Sequence, residues 1–168
     1  MAGALGLSVL DWSPLGGGAL TGKFLDGGGG RAEETRLGSG VVGHFDKYRT
    51  PRAAAIARAV VDAAAEVGCS PAQLALAWLR HRSPLHIPIV GARTVRHLRD
   101  NLGAVEVAVP AEIAARLDAA SAIEPSFPAD FYRNGWRDWF GPHLERLDPR
   151  VRPLGREALG LDAGGARP

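Results

Sequence analysis

The sequence predicts an α/β fold in which short parallel strands alternate with helices. Two apolar runs, at residues 6–11 and 86–90, each end in a glycine-bearing turn. The stretches that follow carry apolar residues at helical spacing. Those helical stretches open on capping residues and first-turn prolines. The 168 residues amount to one domain, long enough to bury a sizeable core without disulfides.

Residues 6–11 (Gly-Leu-Ser-Val-Leu-Asp) read as a buried strand. Ser13-Pro14-Leu15 and the run Gly16 to Gly18 cannot continue it, because proline lacks a donor and glycine a side chain. Residues 26–49, with a glycine tract at 27–30, read as a long loop. Thr50-Pro51 then opens a helix with Ile56, Val60, Ala63, Ala64 and Val67 on one face, and Gly68 stops it. Ser70 and Gln73 form a capping box around Pro71. The helix they start has a stripe of Leu74, Ala77 and Trp78 and ends near Ser83-Pro84. Residues 86–90 (His-Ile-Pro-Ile-Val) are the second strand, although Pro88 suits the start of a strand better than its middle. Gly91 to Thr94 form a tight turn, with Thr94 capping a helix that carries Val95, Leu98 and Leu102 inward. Pro110 begins a last helix with Ile113, Leu117 and Ala120 on one face. Beyond it, residues 127–140 concentrate the aromatics, and an irregular Pro-, Arg- and Gly-rich tail follows. The expected organisation is residues 1–125 as the α/β part and 126–168 as an aromatic segment and tail.

Composition narrows the function classes. Apolar residues make up 46% of the chain, which excludes a mostly disordered protein. No apolar run reaches the ~18 residues of a membrane helix, and no secretory signal opens the chain. Cys69 is the single cysteine, so an internal disulfide is excluded and a reducing, cytoplasmic setting is expected. The net charge is +2. The arginines are scattered among acids instead of gathered in a block, which argues against a nucleic-acid partner. Five histidines without paired-ligand spacing give no reason to expect a metal.

The chemistry lies in the two turns. Glycines let backbone amides approach an oxyanion, and a helix N-terminus adds partial positive charge. Arg93, just before the Thr94 cap, can add a guanidinium. Such turns also occur simply to reverse the chain, and Trp12 taken alone also fits a core aromatic; spacing leaves these alternatives open.

The segment from Trp12 to Lys23 (Trp-Ser-Pro-Leu-Gly-Gly-Gly-Ala-Leu-Thr-Gly-Lys) resembles the seventh-strand motif of the aldo-keto reductase family. Residues 87–94 (Ile-Pro-Ile-Val-Gly-Ala-Arg-Thr), with Leu98 and Asp100-Asn101-Leu102, resemble its eighth-strand motif. Residues 73–79 (Gln-Leu-Ala-Leu-Ala-Trp-Leu) are similar to the family's pattern between the two. The likeness covers residues 5–122, and the Trp-Ser-Pro-Leu form resembles the bacterial, potassium-channel-β-subunit-like branch.

The resemblance implies a (β/α)8 TIM barrel that binds NADP(H) at the C-terminal ends of its strands, where loops after the last two strands build phosphate sites. It implies that Trp12 stacks on the nicotinamide. Ser13, Leu15, Gly17 and Leu20, with Lys23, would line the pyrophosphate. Gly91 and Arg93 would hold the adenosine 2′-phosphate, and Asp100 and Asn101 the adenine edge. His97 stands where the family usually has Gln or Arg.

The family's proton donor is a tyrosine tuned by a lysine, an aspartate and a histidine on earlier strands. Tyr48, Tyr132, Lys23 and Lys47 match none of those motifs, so no catalytic residue is assigned. Two strands stand where a barrel needs eight. The chain therefore reads as the C-terminal portion of such a barrel, about two β/α units, truncated. The parent would reduce small aldehydes or ketones with NADPH, and this portion would be inactive alone. The alternatives are a non-catalytic NADP(H)-binding module or regulatory subunit, and a decayed remnant. Open barrel edges would favour self-association or a complementary chain. The aromatics at 127–140 fit a carbonyl-pocket wall and ordinary rim packing equally, and stacking on single-stranded nucleic acid less well.

Overall fold

The computed structural model describes residues 2, 5–25, 50–83, 85–124 and 126–127. Along these residues run β1 (Val9–Trp12), a short 3-10 helix (Gly16–Thr21), α1 (Pro51–Val67), α2 (Pro71–Arg82), β2 (His86–Ile89), α3 (Val95–Gly103) and α4 (Ala111–Ser121). The chain divides into two units, residues 8–122 and residues 1–7 with 123–168. In the second unit the amides of Leu5 and Leu7 both donate to the Ala2 carbonyl at 3.0 Å. All the elements above belong to the first. The expected loop at 26–49 and the aromatics at 128–140 lie outside the described residues.

The helix boundaries follow local hydrogen-bond chemistry. Thr50 Oγ1 accepts from the Ala53 amide at 3.1 Å, and Pro51, which has no amide to leave unpaired, opens α1. Gly68 ends it in the left-handed region, at φ +79°. Ser70 and Gln73 cap α2 reciprocally, at 3.1 and 3.0 Å. Thr94 Oγ1 accepts from the His97 amide at 3.1 Å and starts α3.

The core forms where α1, α2 and α4 meet. Val60, Ala63, Ala64, Leu74, Ala75, Ile113 and Leu117 are buried together. Helix α2 is the hub, since it packs on α1, α3, β2 and the 3-10 helix. It accordingly buries Ala72, Leu74, Ala75, Leu76 and Ala77, more than the single expected stripe. Trp78 is only half-buried, and its Nε1 donates to Asp118 Oδ1 at 3.0 Å. Ion pairs Arg82–Asp118 and Arg116–Glu66 fasten α4 to α2 and α1.

Burial on α3 and α4 departs from the expected faces. Val95, Leu98 and Leu102 do not point into the core; they are 65%, 41% and 53% exposed. The buried residue of α3 is Asn101. Helical periodicity reveals that a face is apolar, but not whether anything covers it. In α4, likewise, Ile113 and Leu117 are buried, but Ala114 takes the buried place expected of Ala120, which is exposed.

The two strands pair in parallel, with Val9 opposite His86 and Trp12 opposite Ile89. Side chains alternate between faces. Val9, Asp11, His86 and Pro88 are partly buried, whereas Leu10, Trp12, Ile87 and Ile89 form an exposed apolar face. Pro88 stands third in β2, not first. The Val9 amide donates to the Leu85 carbonyl, so the backbone positions that bond β1 are 85, 87 and 89. The nitrogen of Pro88 points away from β1, and no bond of the pair is lost.

Candidate functional site

The register brings both turns to one edge. Trp12 and Ile89 are partners at the ends of parallel strands, so the chain leaves the sheet side by side at Ser13 and Val90. The first turn is conformationally unusual. Ser13 has φ +56°, a region disfavoured for a side-chain-bearing residue, most of all before proline. Gly16, Gly17 and Gly18 follow at +57°, +65° and +96°. Glycine occupies that region without steric penalty, which is why three in a row can build this turn. The amides of Gly16, Gly18 and Leu20 are consumed inside it, by the carbonyls of Ser13 and Leu15. Those of Leu15 and Gly17 find no backbone acceptor among the described residues. The side chains of Leu15 and Leu20 pack against the core, so anything these residues offer a ligand comes from backbone.

Lys23 lies back across the turn. A Cβ on Gly18 would stand 2.6 Å from its Cε and Nζ. Although the residue as a whole is exposed, its ammonium is partly desolvated. Its pKa is lowered from 10.5, first by that desolvation and then by the positive charge of Arg93. The guanidinium therefore acts on Lys23 from the other turn. Gly91 and Arg93 are exposed ahead of the Thr94 cap. Among the described residues neither cation forms an ion pair with a carboxylate. Two cations, glycine-turn amides and a helix N-terminus at one edge form an anion-receptive surface.

The remaining sequence-derived candidates are distributed around this edge. Trp12 is 66% exposed on the apolar face of the sheet and is not a core aromatic. His97 is exposed, and its amide is taken by Thr94. Asp100 is half-buried, and its charge helps raise the Cys69 pKa, behind the larger effect of burial. Asn101 is buried. Tyr48, Lys47 and Tyr132 lie outside the described residues. Sequence reasoning missed one pair, Asp11 and His86, which meet across the strands. A polar residue on the same face of each strand was the available signal. Among the described residues no group of three or more His, Cys, Asp or Glu side chains could hold a metal, and no helix is long and apolar enough to cross a membrane.

Fold and site together define a β/α protein with an anion-receptive edge at the C-terminal ends of its parallel strands. The chain belongs to the aldo/keto reductase family, whose sequence profile matches residues 1–122. It is similar to YrpG, an uncharacterized oxidoreductase of Bacillus subtilis, with 38% identity over 109 residues, 65% of this chain and 30% of that protein. It is 30% identical to protein Tas of Escherichia coli over 124 residues, 74% of this chain and 34% of the relative. It is 43% identical to E. coli pyridoxine 4-dehydrogenase over 60 residues, 36% of this chain and 21% of that enzyme. The chain thus spans about a third of the length of the first two of these relatives.

Proposed function

We propose that this chain is the NADP(H)-binding C-terminal portion of an aldo/keto reductase barrel. The observation that carries the reading is that the two glycine turns, one with Lys23 folded back over Gly18 and the other bearing Arg93, leave the sheet side by side at one edge. The repulsion between like charges at one edge is relieved when a polyanion binds. The residues suit the cofactor. Trp12 offers an exposed indole for the nicotinamide. Ser13, Leu15 and Gly17 offer backbone, and with it Lys23 offers charge, to the pyrophosphate, while Leu20, its amide spent on the Leu15 carbonyl, holds the turn against the core beneath them. Gly91 and Arg93 take the 2′-phosphate, with His97 beside them. Asp100 and Asn101 take the adenine edge, Asp100 being the more exposed.

Bound NADPH supplies a hydride to a carbonyl carbon. The proton donor and its partners belong to other strands of the barrel, so this portion binds without turning over. The exposed face of Leu10, Trp12, Ile87 and Ile89, with the stripe of Val95, Leu98 and Leu102, supports that reading. Apolar surface of this kind belongs inside a barrel or under a neighbouring helix. It also suits a complementary chain or a second copy. On this reading the whole protein reduces a small aldehyde or ketone and works in the cytoplasm. A second reading, a non-catalytic NADP(H)-binding module, is favoured by cofactor residues standing here without an assignable proton donor.

NADPH titration of the folded 168-residue chain tests both. Quenching of Trp12 emission is expected, and Trp12→Leu loses most of that quench. A folded chain that binds no NADPH overturns both readings. Turnover regained on adding the remainder of the barrel selects the first over the second.

A further inference from the structure

The strongest feature that cofactor binding leaves unused is the Asp11–His86 pair. His86 Nδ1 lies 3.1 Å from both carboxylate oxygens of Asp11. The two side chains are 27% and 15% exposed, His86 and Asp11 respectively. An ionised carboxylate only accepts, so Nδ1 carries the proton and donates it. We propose that this pair is a register lock that sets the distance between the two cofactor turns. The proposal rests on the NADP(H) reading, and both residues act through the turns, as positioning residues.

The need for a lock follows from the strand pattern. A one-residue slip between β1 and β2 would put Asp11 on the face of Leu10 and Trp12, so the alternation of apolar and polar side chains forbids it. A two-residue slip leaves every side chain on its own face. Each strand has only four residues, so few ladder hydrogen bonds oppose such a slip. Asp11 pairs with Pro88 and already reaches back diagonally to His86. A slip that carries β1 backward along β2 would set the two directly opposite and is resisted only by the packing of the first turn. The Asp11–His86 bond opposes the slip that carries β1 forward, because two further residues of travel, about 7 Å, separate carboxylate from imidazole. The same travel would carry Ser13 and the glycine turn about 7 Å along Gly91 and Arg93, well beyond hydrogen-bond reach. Leu15 and Leu20 tether the far side of the first turn to the core. Asp11, two residues before Ser13, holds its near side. A ligand that touches one turn is indifferent to this spacing, and a ligand that spans both is not.

That asymmetry gives the test. NADPH spans both turns, and 2′-AMP, which has no 5′-phosphate, reaches only the Arg93 turn. In the 168-residue chain, Asp11→Val is expected to weaken NADPH about tenfold and 2′-AMP less than about twofold. Asp11→Asn, whose amide oxygen still accepts from Nδ1, is expected to keep most of the NADPH affinity. Equal losses for the two ligands, no loss for NADPH, or an Asp11→Asn variant as weak as Asp11→Val would overturn the lock. Should Asp11→Val fail to fold, His86→Val breaks the same bond and carries the same comparison. A wild-type chain that binds neither nucleotide overturns the cofactor reading instead. The lock is then decided by proton NMR, through the cross-strand contacts of Trp12 with Ile89. Their loss in Asp11→Val supports it, and their persistence overturns it.

Discussion

Arg93→Ala removes one of the two site cations and leaves the packing intact. Residues 91–99 are exposed, and no hydrogen bond of Arg93 to another described residue is seen. Two unit charges 4 Å apart interact by about 1 kcal/mol in bulk water and about 4 kcal/mol at an effective dielectric constant of 20. An exposed guanidinium works near the lower figure, and salt screens it further. About 1.4 kcal/mol, a tenfold weakening of NADPH, is therefore expected at low ionic strength. NADH lacks the 2′-phosphate and should lose less than about twofold. The substitution also removes the Coulombic part of the Lys23 shift, so the lysine keeps only the lowering due to desolvation. The assay is a pair of fluorescence titrations, with NADPH and with NADH, at low and high salt. The NADPH preference should shrink as salt rises. Equal weakening of both nucleotides, or an unchanged NADPH affinity, would refute the assignment of Arg93 to the 2′-phosphate.

Lys23 has a lower pKa in the folded chain than its ordinary 10.5. The unfolded chain therefore holds more protons in the alkaline window just below 10.5, and Lys23's contribution to stability rises with pH across it. A bound phosphate reverses the shift, so NADPH binding should take up protons there. Calorimetry in two buffers of different ionisation enthalpy reads this uptake, and Lys23→Met should abolish it; proton release would contradict the placement. Leu74→Ala, at a fully buried site, should cost about 3 kcal/mol in urea unfolding. Leu102→Lys, on the exposed stripe of α3, should change stability by less than about 0.5 kcal/mol. The reverse order would mean that α3 packs by its other face.

Much of the fold was legible because it is local. Thr50, Ser70 and Thr94 each accept a hydrogen bond from an amide three residues on, and nothing outside that turn is needed. Pro51, Pro71 and Gly68 act through their own backbone angles. The family motifs were legible too, as strings. Burial on α3 was not, because Val95, Leu98 and Leu102 have the same periodicity whether or not something covers them. Asp11 and His86 were passed over because neither is unusual within its own strand.

By itself, then, the amino-acid order determined where helices start and stop, where two strands end in glycine turns, and which family those turns belong to. Only the tertiary structure decided that Lys23 feels Arg93, that Trp12 lies on an open apolar face, and that Asp11 meets His86. The physical reason is range. Caps and turns are set by bonds spanning a few residues, whereas the site depends on strand register and helix packing between segments far apart along the chain.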